Sequence, residues 1–274
     1  VRLREGSLGG KGRSLAFLNA LVHALDYEHR YPDVTVTLPA TAIIGTQEWD
    51  DFLSKNALDA SLTEQPDAAI REAFLAGELS PVLIARLQTL ARQVHHPLAV
   101  RSSGLLEDSM VSPFAGVYKT YMLPNNHPDI EVRVQDLVMA IKLVFASVFE
   151  RQGRDYIRGT NFALQDEKMA VIIQEMAGAP HGEHFYPDCS GVAQSHNFYP
   201  TGSMRPDEGI ASIALGLGKL VMEGGHSLRF CPRRPAVDIL SPGDLFGSSQ
   251  KAFWALRLDA KAEALRQGEE GTLQ

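Results

Sequence analysis

The chain has 274 residues, of which 45% are hydrophobic and 22% charged, and its formal net charge is −7. This length allows one large domain or two small ones. The acidic balance argues against a general binder of nucleic acid or of anionic membranes, because both need a basic surface. Any phosphate-binding site must therefore depend on a few placed cations and backbone N–H groups.

Cysteine content and hydropathy indicate in which compartment the protein works. Cys189 and Cys231 allow one disulfide bond at most, and reduced thiols in a cytoplasmic protein are the favoured interpretation. The longest apolar run, LVMAIKLVFASVF, is interrupted by Lys142 and is shorter than the ~20 residues that cross a bilayer. The opening VRLREGSLGGKG lacks the apolar core of a signal peptide. We expect a cytoplasmic protein with neither nucleic acid nor membrane as its partner.

The first half of the chain predicts mainly helices. The stretch GSLGGKGRSLAFLNALVHAL predicts a glycine-rich loop and an amphipathic helix. The apolar face of that helix consists of Leu18, Leu21, Val22 and Leu25. VTVTLPATAIIG predicts a strand that ends at Leu38, before a proline, and TQEWDDFLSKN predicts a helix with Thr46 as its N-cap. Residues 66–95 predict two helices separated by the turn GELSP.

The second half mixes strands and helices without a regular alternation. PLAVRSSG and MAVIIQEM predict strands, and between them a long helix covers residues 134–149. The apolar face of this helix consists of Leu137, Ile141, Val144 and Val148. A loop (GAPHGEHFYPDCSG), short strands (GVAQSHNF, IASIAL, SLRFCP), a helix in GLGKLVMEGG and a last charged helix, KAFWALRLDAKAEALRQ, follow. This order favours an α+β fold.

The glycine-rich segment GSLGGKGRS has the composition of a phosphate cradle. Gly9 and Gly10 allow the backbone to approach a ligand, a helix N-terminus adds partial positive charge, and Lys11 adds a full one. The spacing is not that of a P-loop, because Lys11 is followed by glycine and arginine. A tight turn with an exposed lysine is the alternative interpretation.

Arg101 is the second candidate cation, at the end of a predicted strand. Its guanidinium keeps its charge and can bind two phosphate oxygens at once. The alternative is an ion pair with Glu107 or Asp108 that would hold the following loop. Further along, Gly116 allows a backbone to lie over a phosphate, and the Thr120 hydroxyl could donate to one.

The strand VIIQEM is a candidate binding surface for a flat base. Backbone N–H and C=O groups of residues 174–176 could read the edge of an adenine. A core strand that ends at a turn is the alternative. Two other motifs are weak: LGLGKLVMEGG lacks the third glycine of a dinucleotide fingerprint, and the loop with His181, His184 and Cys189 lacks a second cluster for zinc.

The order of these motifs resembles one known family. GGKG, then AVRSSGLLEDSMVSPFAG, IKLVFASVFE, QEM and GLG follow one another as in the N-terminal PEP/pyruvate-binding, nucleotide-binding domain of phosphoenolpyruvate synthase and pyruvate phosphate dikinase. The synthase branch is the more similar. The resemblance extends to about Pro235.

The resemblance implies an ATP-grasp fold, in which two α+β lobes enclose a nucleotide cleft. Residues 1–177 would form the first lobe, and residues 178–274 a second lobe that is incomplete and truncated at the C-terminus. The implied phosphate-binding catalytic cations are Lys11 and Arg101. The other implied ATP-binding residues are Gly9, Gly10, Ser102, Gly116, Thr120, Gln174, Glu175 and Met176.

The implied activity uses ATP and Mg²⁺. ATP, pyruvate and water would give phosphoenolpyruvate, AMP and phosphate through a phosphohistidine, and both the phosphohistidine domain and the pyruvate/PEP domain are expected beyond this fragment. The Mg²⁺-binding acids are expected downstream of Gln274, so the fragment alone should be inactive. The alternatives are a non-catalytic regulatory module on the same fold, or a phosphotransferase with another acceptor such as a glucan or an antibiotic.

Overall fold

The computed structural model describes residues 1–105, 116–159, 163–235, 243 and 249–274. This part of the chain is a mixed α+β structure with two compact units. The first unit comprises residues 1–176 and 260–272, and the second comprises residues 177–259 and 273–274. Assignment of lobe boundaries within an ATP-grasp fold stays a prediction.

The first unit contains five strands and most of the helices. The strands are β1 (Arg2–Arg4), β2 (Thr41–Ile44), β3 (Leu98–Gly104), β4 (Thr120–Leu123) and β5 (Met169–Glu175). The helices are α1 (Gly9–Ala24), α2 (Tyr27–Arg30), α3 (Gln47–Lys55), α4 (Asp67–Ala76), α5 (Pro81–Gln93), α6 (Ile130–Ala146) and α7 (Arg151–Arg158). Short 3₁₀ turns cover Ala60–Glu64, Leu164–Asp166 and Ala262–Gln267.

The five strands form one sheet in the order β1-β2-β5-β3-β4. β1 and β2 are parallel, and the other neighbours are antiparallel. The central pair, β3 and β5, is in register from Leu98 opposite Glu175 to Gly104 opposite Met169. Because β5 lies between β2 and β3, its backbone groups are bonded on both sides, which explains its continuous apolar sequence.

The two faces of this sheet have different surroundings. Val100 and Val171 belong to the main hydrophobic core, together with residues of α4, α5 and α6. Ile172 is paired with both Arg101 and Ile43, so these three side chains lie on the opposite face. A Cβ atom on Gly12 of α1 would lie 3.4 Å from Ile43. Arg101 therefore lies on the face of the sheet that α1 covers.

The helices predicted in the middle of the chain are confirmed. α5 begins at Pro81, and the Ser80 side chain accepts a hydrogen bond from the backbone N–H of Leu83. α6 begins after Asp129, which caps it in the same way. The predicted apolar face of α6 is fully buried, at Leu137, Ile141, Val144 and the following Val148.

The predicted strand up to Leu38 is wrong, because the strand forms after Pro39. β2 covers Thr41–Ile44 and pairs with β5. Val34 and Val36 alternate as a strand should, but both side chains are exposed. The run of small and β-branched residues after the proline fits a strand buried on both faces better than the alternating run does.

Helix α1 is confirmed, but its apolar face is not covered by the part of the chain that the structure describes. Leu18, Leu21 and Leu25 are each at least 36% exposed. The buried residues of α1 are glycines at its N-terminus. Periodicity identified the helix, and close packing of its glycine-rich first turn positions it.

The second unit consists mainly of short strands. These are β6 (Ala179–His181), β7 (His184–Tyr186), β8 (Cys189–Gln194), β9 (Ile210–Leu215), β10 (Leu228–Phe230) and β11 (Leu256–Arg257). They form two antiparallel sheets, β10-β9-β8 and β11-β7-β6. Helix α8 (Lys219–Met222) follows the predicted glycine turn, and a 3₁₀ turn covers Pro206–Glu208.

Two predictions for the second half of the chain are wrong. The segment predicted as a loop contains the hairpin of β6 and β7. The last charged helix is absent: Leu256 and Arg257 pair with β7, and residues 262–267 form a 3₁₀ turn. Residues 256 and 257 pair with a strand some seventy residues earlier in the chain, and this pairing outweighs their local helix propensity. Local sequence does not encode such a contact.

Cys189 is exposed, Cys231 is buried, and neither is in a disulfide bond. Within the described ranges, no helix has both the length and the hydropathy required to cross a membrane.

Candidate functional site

The glycine-rich segment lies directly on the end of strand β3, and from Gly9 onward it is the first turn of α1 rather than the predicted loop. The backbone N–H of Gly12 donates to the Ser103 hydroxyl at 3.1 Å, and that hydroxyl donates to the Leu8 carbonyl at 2.9 Å. Gly9 has a φ of +68°, and a Cβ there would lie 1.9 Å from the Ser103 carbonyl oxygen. Only glycine fits this contact. The structure thus brings the GGKG and VRSSG motifs together.

Lys11 extends along the same contact. Its Nζ lies 3.5 Å from both the carbonyl oxygen and the hydroxyl of Ser102, which is fully buried. Ser102 is the residue after Arg101, so the two candidate cations approach neighbouring positions of β3. A phosphate near this strand end would meet positive charge from both the first turn of α1 and the strand.

Arg101 is half-buried, and the side chain to which it donates a hydrogen bond is neutral. Its Nη1 donates to Oε1 of Gln174 at 3.4 Å, a long hydrogen bond. No carboxylate of the described residues forms an ion pair with it. Glu107 and Asp108, the acids that could pair with it, lie outside the described residues. Arg101 can therefore bind an anion without first breaking an ion pair to another described residue.

Gln174 joins Arg101 to strand β2. Its Nε2 donates to the Thr41 hydroxyl at 3.1 Å, and that hydroxyl donates to the Pro39 carbonyl at 2.9 Å. Because a guanidinium has only donors, the amide oxygen must face Arg101 and the amide nitrogen must face Thr41. The side chain of Gln174 therefore links Arg101 to β2.

The backbone N–H groups of the predicted adenine strand are already bonded. Glu175 donates to the Ala40 carbonyl and Met176 donates to the Pro97 carbonyl, each at 2.9 Å. The N–H groups at 175 and 176 are thus not available to an adenine edge in this conformation, which leaves the carbonyls. Central strands bonded on both sides leave few free groups.

Gly116 and Thr120 lie on the segment that leads into β4. Gly116 is exposed with a φ of +83°, and its carbonyl accepts from Nε2 of Gln152 at 3.1 Å. Thr120 is opposite Arg101 in the β3–β4 pair, and its backbone N–H donates to the carboxylate of Glu269. Sequence reasoning did not include Glu269, which is 149 residues away in the chain.

A buried ion cluster holds this segment from behind. Glu150, only 3% exposed, pairs with Nζ of Lys119 at 2.8 Å and with Nη1 of Arg71 at 3.2 Å. The backbone N–H of Lys119 also donates to the Ser147 hydroxyl at 3.4 Å. Ser147 and Glu150 of the IKLVFASVFE motif therefore support the residues next to Thr120.

A cavity of about 620 Å³ opens in the first unit, in the size range of small-molecule pockets. Its wall includes Leu15 and Asn19 of α1, Thr41 of β2, and Gln174 and Glu175 of β5. The cavity thus adjoins the strand end that sequence analysis assigned to adenine.

The motifs that the sequence analysis discounted have structural roles in the second unit. A Cβ on Gly216, whose φ is +73°, would lie 2.8 Å from the Trp254 carbonyl oxygen, so this glycine serves close packing. The ring of His181 stacks on Tyr186 at 4.0 Å between centroids. Among the described residues, no three His, Cys, Asp or Glu side chains are grouped to hold a metal ion.

A comparison with protein families identifies the domain. A family model described as the pyruvate phosphate dikinase AMP/ATP-binding domain matches residues 5–238. The chain belongs to this family. The match includes the GGKG and VRSSG motifs, the IKLVFASVFE motif and the strand of Gln174. The family resemblance drawn from the sequence is confirmed, and the domain is one of an ATP-using phosphotransferase family.

One curated relative is the prodigiosin synthesizing transferase PigC of Serratia marcescens. It is 28% identical to this chain over 179 residues, which cover 65% of this chain and 18% of PigC. The chain therefore matches less than a fifth of the length of that relative.

Proposed function

We propose that this chain is the ATP-binding part of a phosphoenolpyruvate synthase-like phosphotransferase with an ATP-grasp fold. In this proposal, residues 1–177 and 178–274 are its two lobes, the second incomplete. Family membership supports ATP as the nucleotide, and the contact of the glycine-rich first turn of α1 with β3 carries the assignment of the phosphate site.

The proposed phosphate site combines Lys11, Arg101 and backbone groups. Lys11 would provide a point charge from the first turn of α1, and Arg101 a flat guanidinium from β3. Gly9 and Gly10 would allow the backbone to approach the phosphates, and Ser102 would orient Lys11 through the 3.5 Å contacts. Phosphoryl transfer needs mainly positioning and charge neutralisation, which these groups are suited to supply.

The other side of the proposed phosphate site is the segment of Gly116 and Thr120. Thr120 lies opposite Arg101 in the sheet, so both would contact the same polyanion. We propose that the base contacts the run from Gln174 to Met176. The 620 Å³ cavity beside Gln174 and Glu175 supports a small-molecule site there, while the bonded N–H groups favour carbonyl contacts.

The proposed reaction forms phosphoenolpyruvate and AMP from ATP and pyruvate, with phosphate released, through a histidine on another domain of the same polypeptide. Bound Mg²⁺ would supply neutralisation of the phosphate oxygens. The described residues contain no group of acids suited to hold it, and its ligands remain predicted downstream of Gln274. The residues here would bind and orient ATP, and the fragment alone would not turn over.

The test is AMP formation by the complete polypeptide, together with ATP binding to this chain. We expect ATP- and pyruvate-dependent AMP release by the whole protein, lost in Arg101→Ala while circular dichroism remains unchanged. For the chain alone, an NMR titration to millimolar ATP detects the weak binding that we expect. Unchanged AMP formation in folded Arg101→Ala would refute the assigned role of Arg101.

A different acceptor is the second candidate. The relative PigC is a prodigiosin synthesizing transferase, so a domain similar to this one also occurs in a transferase that makes another product. Supplying the whole protein with labelled ATP and pyruvate, a glucan or an antibiotic in separate reactions would identify the labelled product. Folded protein that binds ATP but forms no AMP with any of them would favour a regulatory module.

A further inference from the structure

Glu167 is a buried carboxylate that the sequence analysis did not select. It precedes strand β5, and it is only 1% exposed. A buried carboxylate is costly unless hydrogen bonds satisfy it, so its partners indicate what it does.

Glu167 joins three parts of the chain. Its Oε1 accepts from the backbone N–H of Leu105 at 2.8 Å and from that of Lys168 at 3.0 Å. The N–H of Leu105 is shared, because it also donates to the Lys168 carbonyl at 3.2 Å. Its Oε2 accepts from the Tyr118 hydroxyl at 2.7 Å. Leu105 follows β3, Tyr118 precedes β4 and Lys168 precedes β5, so one carboxylate ties the ends of three neighbouring strands.

Gly104 leaves the space that this carboxylate occupies. A Cβ on Gly104 would lie 3.1 Å from Oε1 of Glu167 and 3.1 Å from the Tyr118 ring. The backbone there is not in the left-handed region, so the requirement is for space rather than for conformation. The glycine of the VRSSG motif thus belongs to the same arrangement.

The tied strand ends carry the proposed phosphate site. Ser102 lies three residues before Leu105, while Gly116 and Thr120 lie two residues on either side of Tyr118. Since Glu167 binds both Leu105 and Tyr118, it fixes the distance between Ser102 on one side and Gly116 and Thr120 on the other. We infer that Glu167 is a positioning residue, which keeps the β3 and β4 sides of the ATP phosphate site at a set distance. This inference rests on the proposed function.

The variants Glu167→Ala, Glu167→Gln and Tyr118→Phe separate this role from general stability. Alanine removes all the hydrogen bonds. Glutamine can keep the three described ones, because its oxygen can accept both N–H groups while its NH₂ donates to the Tyr118 oxygen. Phenylalanine removes the Tyr118 hydroxyl and with it the hydrogen bond to Glu167. Leu87→Ala, at a fully buried position in α5, is the control for loss of stability.

ATP affinity is measured by NMR titration with the variants folded. We expect affinity about tenfold weaker in Glu167→Ala, an intermediate loss in Tyr118→Phe and near-normal affinity in Glu167→Gln. Leu87→Ala should bind ATP normally. Wild-type affinity in folded Glu167→Ala, or an equal loss in Leu87→Ala, would overturn the inference.

Amide hydrogen exchange provides a readout that needs no ligand. In Glu167→Ala, the amide of Leu105 and those of residues 117–120 should exchange faster than in Leu87→Ala, relative to the other amides of the first unit. If Arg101→Ala leaves ATP binding unchanged, the proposed phosphate site fails, whatever this exchange shows. If exchange at Leu105 and residues 117–120 is not selectively faster in Glu167→Ala, the positioning role of Glu167 is wrong, whatever the result for Arg101→Ala.

Discussion

Nζ of Lys11 lies 3.5 Å from the carbonyl oxygen of Ser102, although 91 residues separate them in the chain. The contact is possible because Gly9 and Gly12 bring the first turn of α1 against Ser103. It joins the glycine-rich first turn of α1 to the strand that carries Arg101. Ligand binding should depend on both parts.

Arg101→Ala should weaken ATP binding at least about tenfold, because a charged hydrogen bond to phosphate is lost. The free energy of unfolding should change little, since the hydrogen bond that Arg101 donates to Gln174 is long. Arg92→Ala, at an exposed position of α5, removes the same charge elsewhere and is the control. Calorimetric or NMR titration with ATP measures the affinity of both variants. Equal affinities for ATP would count against a role of Arg101 in phosphate binding.

Gly9→Ala should destabilise the first unit by about 2–4 kcal/mol, because of a strained positive φ and a clash with the Ser103 carbonyl. Gly116→Ala has a positive φ too, but no described atom lies within 4 Å of its Cβ. It should cost only about 1 kcal/mol. Urea denaturation measures the free energy of unfolding of both variants. Similar losses would mean that the first turn of α1 does not pack on β3 as described.

Asp136 on α6 should make stability depend on pH. Burial, then the charge of Glu263, raises its pKa from 3.8 to about 6, while His127 acts in the opposite direction. The folded state therefore binds this proton more tightly than the unfolded state. Its contribution to stability is complete below about pH 4 and is lost as pH rises towards about 6.

Asp136→Asn should flatten this dependence and raise the free energy of unfolding at pH 7 by roughly 1–3 kcal/mol. Glu131→Gln, an exposed acid on the same helix, is the control and should leave the pH profile unchanged. The measurement is urea denaturation at several pH values between 4 and 7. A profile that Asp136→Asn does not alter would contradict the raised pKa.

Glu150→Gln should destabilise the protein by about 2–3 kcal/mol, because Lys119 and Arg71 would keep partly buried charges without their carboxylate. Glu72→Gln removes the carboxylate of an exposed ion pair with Arg266 and should cost less than about 1 kcal/mol. Thermal denaturation of both variants tests this. Equal effects would show that the buried cluster contributes no more than a surface pair.

Elements with a clear local period were predictable, and elements defined by distant partners were not. α6 follows from its apolar face, and α5 from Ser80 and Pro81 at its start. β11 is a strand because Leu256 meets Phe185, and residues near it carry helix-forming side chains that predict otherwise. Alternation before Pro39 suggested a strand too early, since a buried central strand need not alternate.

The site divides in the same way. Glycine and cation motifs marked Lys11 and Arg101, but the resemblance to a family, rather than spacing, suggested that they belong together. The bonded N–H groups of residues 175 and 176 depend on Ala40 and Pro97, which lie in stretches that predicted strands and gave no sign of this contact. Glu167 and Glu269 were missed because single acids outside a pattern carry no signal until the fold brings their donors to them.

The chain leaves the first unit after Met176 and rejoins it at Ala260. Ala262 and Leu265 of the rejoining stretch are buried in the core that α6 helps to form. The first unit is therefore a discontinuous domain with the second unit inserted in its sequence. A single cut between residues 177 and 259 would leave two polypeptides that stay associated through this core, so a nicked protein should elute whole from a sizing column and separate only in denaturant.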